Sequence, residues 1–410
     1  MTKSSDSPDT ASPAEGRLAA ALETLRRGGL IVVADDEKRE NEGDLIVAAE
    51  KATPEALHFM IRQAGGLMCV AMTRERLAQL GLSRMTPRGP GDDFRTAFME
   101  SVDAREGVTT GISAFDRART VAVLMEETTR PEDLVRPGHL FPLEAVEYGV
   151  LRRPGHTEAA VDLARMAGLK PAGVICEILG ADGGMARGQE LSDFARHHGL
   201  PLVTIAEIVA HRRRHERLVE REQTVHLPTD WADFRLHMYR ALPEKEYHLA
   251  LTLGAEAEGG PPLVRIHSEC LTGDVFGSQR CDCGRQLRLA MERIANEGRG
   301  AVIYLRQEGR GIGLVHKIHA YALQENGLDT VEANRCLGFE PDLRDYYVSA
   351  QMLRDLGWTR VRLLSNNPHK VEGLLRYGVE VAERVPLVVP STPYNQRYLK
   401  TKREKLGHWL

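Results

Sequence analysis

The sequence is poor in the features that would mark a secreted, fibrous or membrane-spanning chain. Six cysteines in 410 residues are too few for a disulfide scaffold. No run of roughly 18 apolar residues supplies a transmembrane helix, and the opening MTKSSDSPDTASPAEG lacks the apolar stretch of a signal peptide. Residues 1–16 therefore read as a disordered tail, and the chain as cytoplasmic with no membrane partner. Aromatic residues make up only 5%, and 54 Lys and Arg against 58 Asp and Glu leave a net charge of −4. Such a chain has neither the basic field nor the stacking surface of a nucleic-acid binder, so no nucleic-acid partner is expected. Any phosphate must be held by local clusters. The tripeptides GKS and GKT are absent, which excludes a Walker phosphate loop.

What is present describes an ordinary globular protein, 42% hydrophobic and 27% charged, long enough for two or three folding units. Leu and Ala at helical spacing over residues 17–29 predict a helix ended by a Gly pair, and LIVVADD after it predicts a buried strand running into an acidic turn. Alternation of this kind continues to a last strand at 202–205 and a helix with a basic end, so the first unit spans 17–212. The run HRRRHERLVERE at 211–222 reads as a solvated helix or linker, and it marks the junction. The second unit, 213–410, interleaves strand-like runs (263–267, 301–305, 361–364) with helical ones (285–296, 313–326, 350–356). The expected fold class is α/β (α+β), two mixed α/β domains in tandem, each with its own sheet and active site. No internal repeat relates the halves.

Six of the ten residues at 35–44 (DDEKRENEGD) are acidic and follow a buried strand directly. Their repulsion is costly unless a cation is bound, although a solvated acidic loop gives the same composition. In RRPGHTEAAVDL, Gly155 permits close backbone approach, His156 can ligate, Thr157 can cap a helix and Arg153 can hold a phosphate; an ordinary N-cap with a surface His is the competing reading. Together with GVTTGIS, RPGHLFPL and GVICEI, these segments resemble the synthase of 3,4-dihydroxy-2-butanone 4-phosphate over residues 17–212. The resemblance implies that Glu40 and His156 hold Mg²⁺ or Mn²⁺, and that Arg39, Asp44, Arg153, Gly155, Thr157 and Glu177 surround ribulose 5-phosphate, with Asp44 and Glu177 catalytic. It also sets Cys69 near the site, where a small buried hydrophobe is an equal reading. Met99 within FMESVD, Glu144 after FPL and Tyr148 in place of a glycine depart from the family pattern. Glu144 reverses a charge on a loop expected to approach the site. A second reading follows, in which the first half is an inactive scaffold or regulatory domain.

Three cysteines crowd into C-x10-C-x-C (Cys270, Cys281, Cys283). Three thiolates suggest Zn²⁺ with an open fourth position, and a redox pair is the alternative. Downstream, LRQEGRGIGL sets arginines among glycines in a loop able to wrap a triphosphate. Read with RIHSECLTGDVFGSQRCDCG, DTVEAN, DLRDY and NNPHK, it resembles GTP cyclohydrolase II over residues 222–410. The resemblance implies that Cys270, Cys281 and Cys283 bind Zn²⁺, and that Arg265, His267, Ser268, Glu269, Gln286, Glu308, Gly309, Arg310, Thr330, Ser365 and Lys370 contact GTP. Asp342 is then the proton acceptor and Tyr321 lies near the reacting ring. Arg344 takes the α-phosphorus, a role in which a guanidinium acts more naturally as a clamp than as a nucleophile. The implied protein is a homodimer that makes formate at both sites on the way to riboflavin.

Overall fold

A computed structural model describes residues 13–37, 39–85, 96–255 and 259–410. The chain divides into two compact units, one ending at Arg212 and the other beginning at Arg213. Among the described residues, no helix is long and apolar enough to cross a membrane.

The first unit is a seven-stranded mixed sheet, with β1 (Ile31–Ala34), β2 (Gly43–Ala48), β3 (Cys69–Thr73), β4 (Val102–Ala104), β5 (Leu134–Ala145), β6 (Ala172–Glu177) and β7 (Leu202–Thr204) in the order β4-β5-β3-β6-β2-β1-β7. Strand residues alternate between two cores. Val32, Leu45, Val47, Val70, Met72 and Val174 pack on one face, while Ile31, Val33, Ile46, Cys69, Ala71 and Ile175 pack on the other with helices Pro13–Arg26 and His156–Met166. Both faces are buried, so runs such as LIVV are continuously apolar and do not alternate with polar residues. Helix Pro13–Arg26 buries Leu18, Ala21, Leu22 and Leu25. It takes in residues 13–16 of the predicted tail; residues 1–12 lie outside the described residues.

The charged run at the junction is ordered, contrary to the expectation of a solvated linker. Its first part closes helix Ile205–His215, where Arg212 is 5% exposed and places Nη1 2.6 Å from Asp162 Oδ2. Its second part opens β8 (Val219–Pro228), and Gln351 clamps the turn between them by accepting from Leu218 N and donating to Arg213 and Glu216 carbonyls. A charge count cannot reveal a partner fifty residues upstream.

In the second unit β8 joins β9 (Asp233–Ala241), β10 (Glu246–Leu253), β11 (Leu263–Ser268), β12 (Gly300–Leu305), β13 (Arg360–Leu364) and β14 (Glu380–Val385) in the order β14-β13-β11-β12-β10-β9-β8. One half is an antiparallel meander; β12, β11, β13 and β14 run parallel. Helix Cys283–Glu297 buries Ala290, Met291 and Ile294 against Leu263 and Val302. The carboxyl ends of the parallel strands, at Ser268, Leu305 and Leu364, share one edge, where such sheets open a crevice for ligands.

Two candidate active sites

Asp44 on β2 and Glu177 on β6 are register partners, and their strand neighbours Ile46 and Ile175 pack beneath helix His156–Met166, so both carboxylates lie on that helix's side of the sheet. His156 opens the helix, 6% exposed, with Nδ1 3.7 Å from Glu40 Oε2 and 3.6 Å from Asp44 Oδ1. Its Nε2 and Asp44 Oδ1 are buried without a hydrogen-bond partner. Burial, opposed by His156 and reinforced by Glu177, Glu40 and Glu42, pushes Asp44 up to about 7. Burial works against charge on His156, yet Asp44, Glu40 and Asp35 hold it above the ordinary histidine value.

Donor atoms of Asp35, Glu40 and His156 lie within 4.8 Å of one another, a set of oxygens and one nitrogen suited to a hard divalent ion. Sequence reading did not single out Asp35, which also shapes the turn by accepting from Arg39 Nη1 at 2.7 Å and Asn41 N at 3.0 Å. Arg39 pairs with Glu40 at 2.6 Å, and Arg153 with buried Glu158 at 2.7 Å. A Cβ at Gly155 would stand 2.5 Å from Arg153 Nη1 and 3.1 Å from Arg39 Nη2. A glycine there lets two guanidiniums reach the start of the helix, where buried Thr157 follows. Two cations at a helix N-terminus form an anion cradle. Glu177 Oε2 accepts from Leu67 N at 2.8 Å. Cys69 is buried in the sheet, and burial, with Glu177 and Asp44 adding, holds its thiol far above the usual range.

The second unit opens a cleft at the carboxyl edge of its parallel strands. Arg265, His267, Ser268, Glu269 and Cys270 line it from the end of β11, and Cys281, Cys283 and Gln286 from the start of the next helix. Glu308, Gly309 and Arg310 follow β12, and Tyr321, Thr330, Arg344, Ser365 and Lys370 complete the lining. Of the residues expected here only Asp342 stands back from the wall, where it grips Arg344 through Nε at 2.8 Å and Nη2 at 2.5 Å. Burial opposes both charges, but the pair holds Asp342 below and Arg344 above its usual value.

Cys270 and Cys281 sulfurs lie 3.7 Å apart. Two thiolates at 2.3 Å on a tetrahedral zinc ion would be about 3.8 Å apart, whereas disulfide sulfurs are bonded at about 2.05 Å. Cys283 joins the cluster within 4.8 Å. Hydrogen bonds from Cys281 and Cys283, aided by the Lys317 ammonium, hold Cys270 well below the usual thiol range, while the same contacts push Cys281 far above it. Lys317 was not foreseen: 7% exposed, it places Nζ 3.3 Å from Cys270 Sγ and 2.7 Å from Glu308 Oε1. Its signal in sequence is a lysine on the buried side of helix Gly313–Glu325. Asp274 was missed too; it accepts from Cys270 N, Tyr304 Oη and His267 Nε2, all near 3.0 Å. Burial lowers His267 below the ordinary histidine value, against the pull of the Asp274 carboxylate. Lys370, pulled well down by burial and by Arg265, Arg344 and Lys402, donates to Ile266 O at 2.7 Å. Arg310 sits at φ +63 with Nη1 buried and unpartnered. The Ser365 hydroxyl accepts from Asn367 N at 3.0 Å and so serves its own turn.

Residues 19–211 match the family model of 3,4-dihydroxy-2-butanone 4-phosphate synthase, and residues 220–386 that of GTP cyclohydrolase II. The riboflavin biosynthesis protein RibBA of Synechocystis sp. is 55% identical over 95% of this chain and 71% of its own, and that of Aquifex aeolicus is 54% identical over 95% of this chain and 96% of its own. The chain belongs to the bifunctional riboflavin biosynthesis family. A crystal structure described as a two-domain 3,4-dihydroxy-2-butanone 4-phosphate synthase from A. baumannii covers 91% of this chain and 100% of its own at 35% identity, with a TM-score of 0.69. The protein is thus a bifunctional enzyme, a synthase unit followed by a cyclohydrolase unit.

An inactive synthase unit is not favoured, and the departures from the family pattern have local explanations. Glu144 lies in β5, not in a loop. It pairs in register with Met72, on the sheet face opposite Asp44 and Glu177, and binds Arg74 at 2.7 Å. Met99 is buried in the core of that opposite face. Tyr148 holds φ +66, a conformation in which glycine is easier, and its carbonyl accepts from Arg212 at 2.8 Å. An exposed His139, with Nδ1 2.7 Å from Asp103 Oδ2, is a further acid–base pair in RPGHLFPL. Its two members lie on different strands, so no local spacing announces them.

Proposed function

We propose that the synthase unit converts ribulose 5-phosphate to 3,4-dihydroxy-2-butanone 4-phosphate plus formate. The cyclohydrolase unit converts GTP to 2,5-diamino-6-ribosylamino-pyrimidinone 5'-phosphate plus formate and pyrophosphate. The observation that carries this reading is that each unit brings metal-donor side chains beside cations suited to a phosphate ester.

In the synthase site Glu40 and His156 would hold Mg²⁺ or Mn²⁺: His156 Nε2 is buried without a partner, and Glu40, paired with Arg39 through both oxygens, lies 3.7 Å from His156 Nδ1. The bound ion supplies positive charge for substrate oxygens beside the reacting carbon. Arg39, Arg153, Gly155 and Thr157 hold the phosphate end. Asp44, with a carboxyl near half-protonation at neutral pH, exchanges a proton with the sugar, and Glu177 opposite it takes the second proton.

In the cyclohydrolase site Cys270, Cys281 and Cys283 would hold Zn²⁺, a fit supported by the 3.7 Å sulfur spacing. The bound ion brings the pKa of water to about 7. Arg265, His267, Ser268, Glu269, Gln286, Glu308, Gly309, Thr330 and Ser365 surround the nucleotide, and Tyr321 stands by the ring that opens. Arg310, Lys370 and Arg344 clamp the triphosphate. Asp342 holds the Arg344 fork toward it and raises its affinity for protons, which favours a clamp over a nucleophile. The working unit is a cytoplasmic homodimer.

Product analysis with GTP and ribulose 5-phosphate supplied separately tests each half. Formate appears from both substrates; a unit that releases none lacks the assigned activity. Retention of a covalent guanylyl adduct in Arg344→Lys would count against the clamp.

A further inference from the structure

The cyclohydrolase family model ends at residue 386, yet the chain runs on to Leu410, and this last stretch reaches the nucleotide cleft. Tyr398 and Lys402 from helix Gln396–Leu406, and His408 just past it, line the same cavity as the three thiols and Arg344. Three anchors hold the segment there. Lys402, 7% exposed, places Nζ 2.6 Å from Oδ1 of Asp282, the buried residue between Cys281 and Cys283. Lys405 binds Glu332 at 2.9 Å and Asp329, on the helix that carries Thr330. Trp409 N donates to Asn366 O at 2.9 Å, and its ring lies under the Arg384 guanidinium at 4.9 Å.

What the segment shows to the cleft is chemically specific. The Tyr398 ring lies 5.9 Å from the Arg310 guanidinium and 4.8 Å from Lys402 Nζ, in the wall that Cys281 and Cys283 also line. His408 is surrounded by positive charge: burial, then Lys402, Arg344, Arg310 and Lys370, hold it down to about 3. An uncharged imidazole among four cations is placed to donate a hydrogen bond to whatever anion those cations bind.

Resting on the reading of this cleft as a GTP site, we propose that residues 396–410 form a working wall of it. Tyr398 packs on the purine beside the thiols, and His408 donates to a phosphate oxygen of the triphosphate.

The test uses the full-length, zinc-loaded chain. His408→Ala and Tyr398→Leu each raise the KM for GTP about 3- to 10-fold, the worth of one neutral hydrogen bond or one packed ring. Bound zinc and ribulose 5-phosphate turnover stay at parental levels. Inhibition by inorganic triphosphate weakens in His408→Ala and not in Tyr398→Leu; inhibition by guanosine does the reverse. A KM for GTP in both variants matching that of an active parent overturns the wall. So does a KM rise that comes with loss of zinc, because the segment would then only brace the cysteine loop. A parent unable to turn over GTP sinks the functional reading instead.

Discussion

The two units hold metal donors beside phosphate cradles with opposite charge arrangements. In the synthase unit carboxylates crowd a buried imidazole, and burial, opposed by that imidazole and reinforced by the neighbouring carboxylates, pushes Asp44 up to about 7. In the cyclohydrolase unit the cleft is lined by cations, and Lys317 sits 3.3 Å from Cys270, which is held well below the usual thiol range. The first site competes with protons for its ion; in the second the charge gathers on the Cys270 sulfur, while Cys281 is held far above the usual thiol range. Donor softness follows the same division, oxygen and imidazole for a hard ion and sulfur for zinc.

The largest effect should come from breaking one donor set at a time. Cys281→Ser is expected to cut formate release from GTP by about 10³-fold or more while leaving release from ribulose 5-phosphate intact, and His156→Ala to do the converse. A variant that silences both substrates would show that the sites are not independent. Next, Lys317→Met removes the preset charge and should weaken zinc binding by about 10- to 100-fold in a chelator competition. Unchanged affinity would mean that the Lys317 ammonium does not prepare the thiols for the ion.

Asp44 tests the opposite arrangement. Its folded pKa is raised from 3.8 to about 7, so the folded protein binds a proton that the unfolded chain releases. That contribution is fully present below about pH 4 and lost as pH rises through about 7. Metal-free Asp44→Asn should therefore be more stable than the parent at pH 8, by on the order of 1–2 kcal/mol, in urea unfolding. The gain should vanish near pH 4, and a gain independent of pH would argue against burial of a charge. The smallest effect is expected at Glu144, whose Arg74 partner is largely exposed. Glu144→Lys should cost under about 1 kcal/mol and leave synthase turnover within about twofold.

Much of this was legible in sequence because the signals were local. The strand before the acidic turn, the helix after Gly155 and the C-x10-C-x-C spacing all depend on neighbours in the chain. What escaped were partners brought from afar. Asp274 reaches His267 and Tyr304 from another element, and Arg212 looked solvated until Asp162 was beside it. Glu144 looked threatening because its residue type was visible and the sheet face was not. Asp342 was expected as the proton acceptor, and its pairing with Arg344 was not foreseen because it depends on a turn that brings two nearby side chains onto one axis.

Sequence alone determined which chemical groups exist and which lie close along the chain, because ligand spacing and hydrophobic periodicity are short-range properties. Only tertiary structure decided the protonation tendencies, since burial and charges from distant segments set them. It also decided that the stretch beyond residue 386 turns back onto the cleft: Lys402 meets Asp282 across 120 positions, a contact that no local pattern encodes.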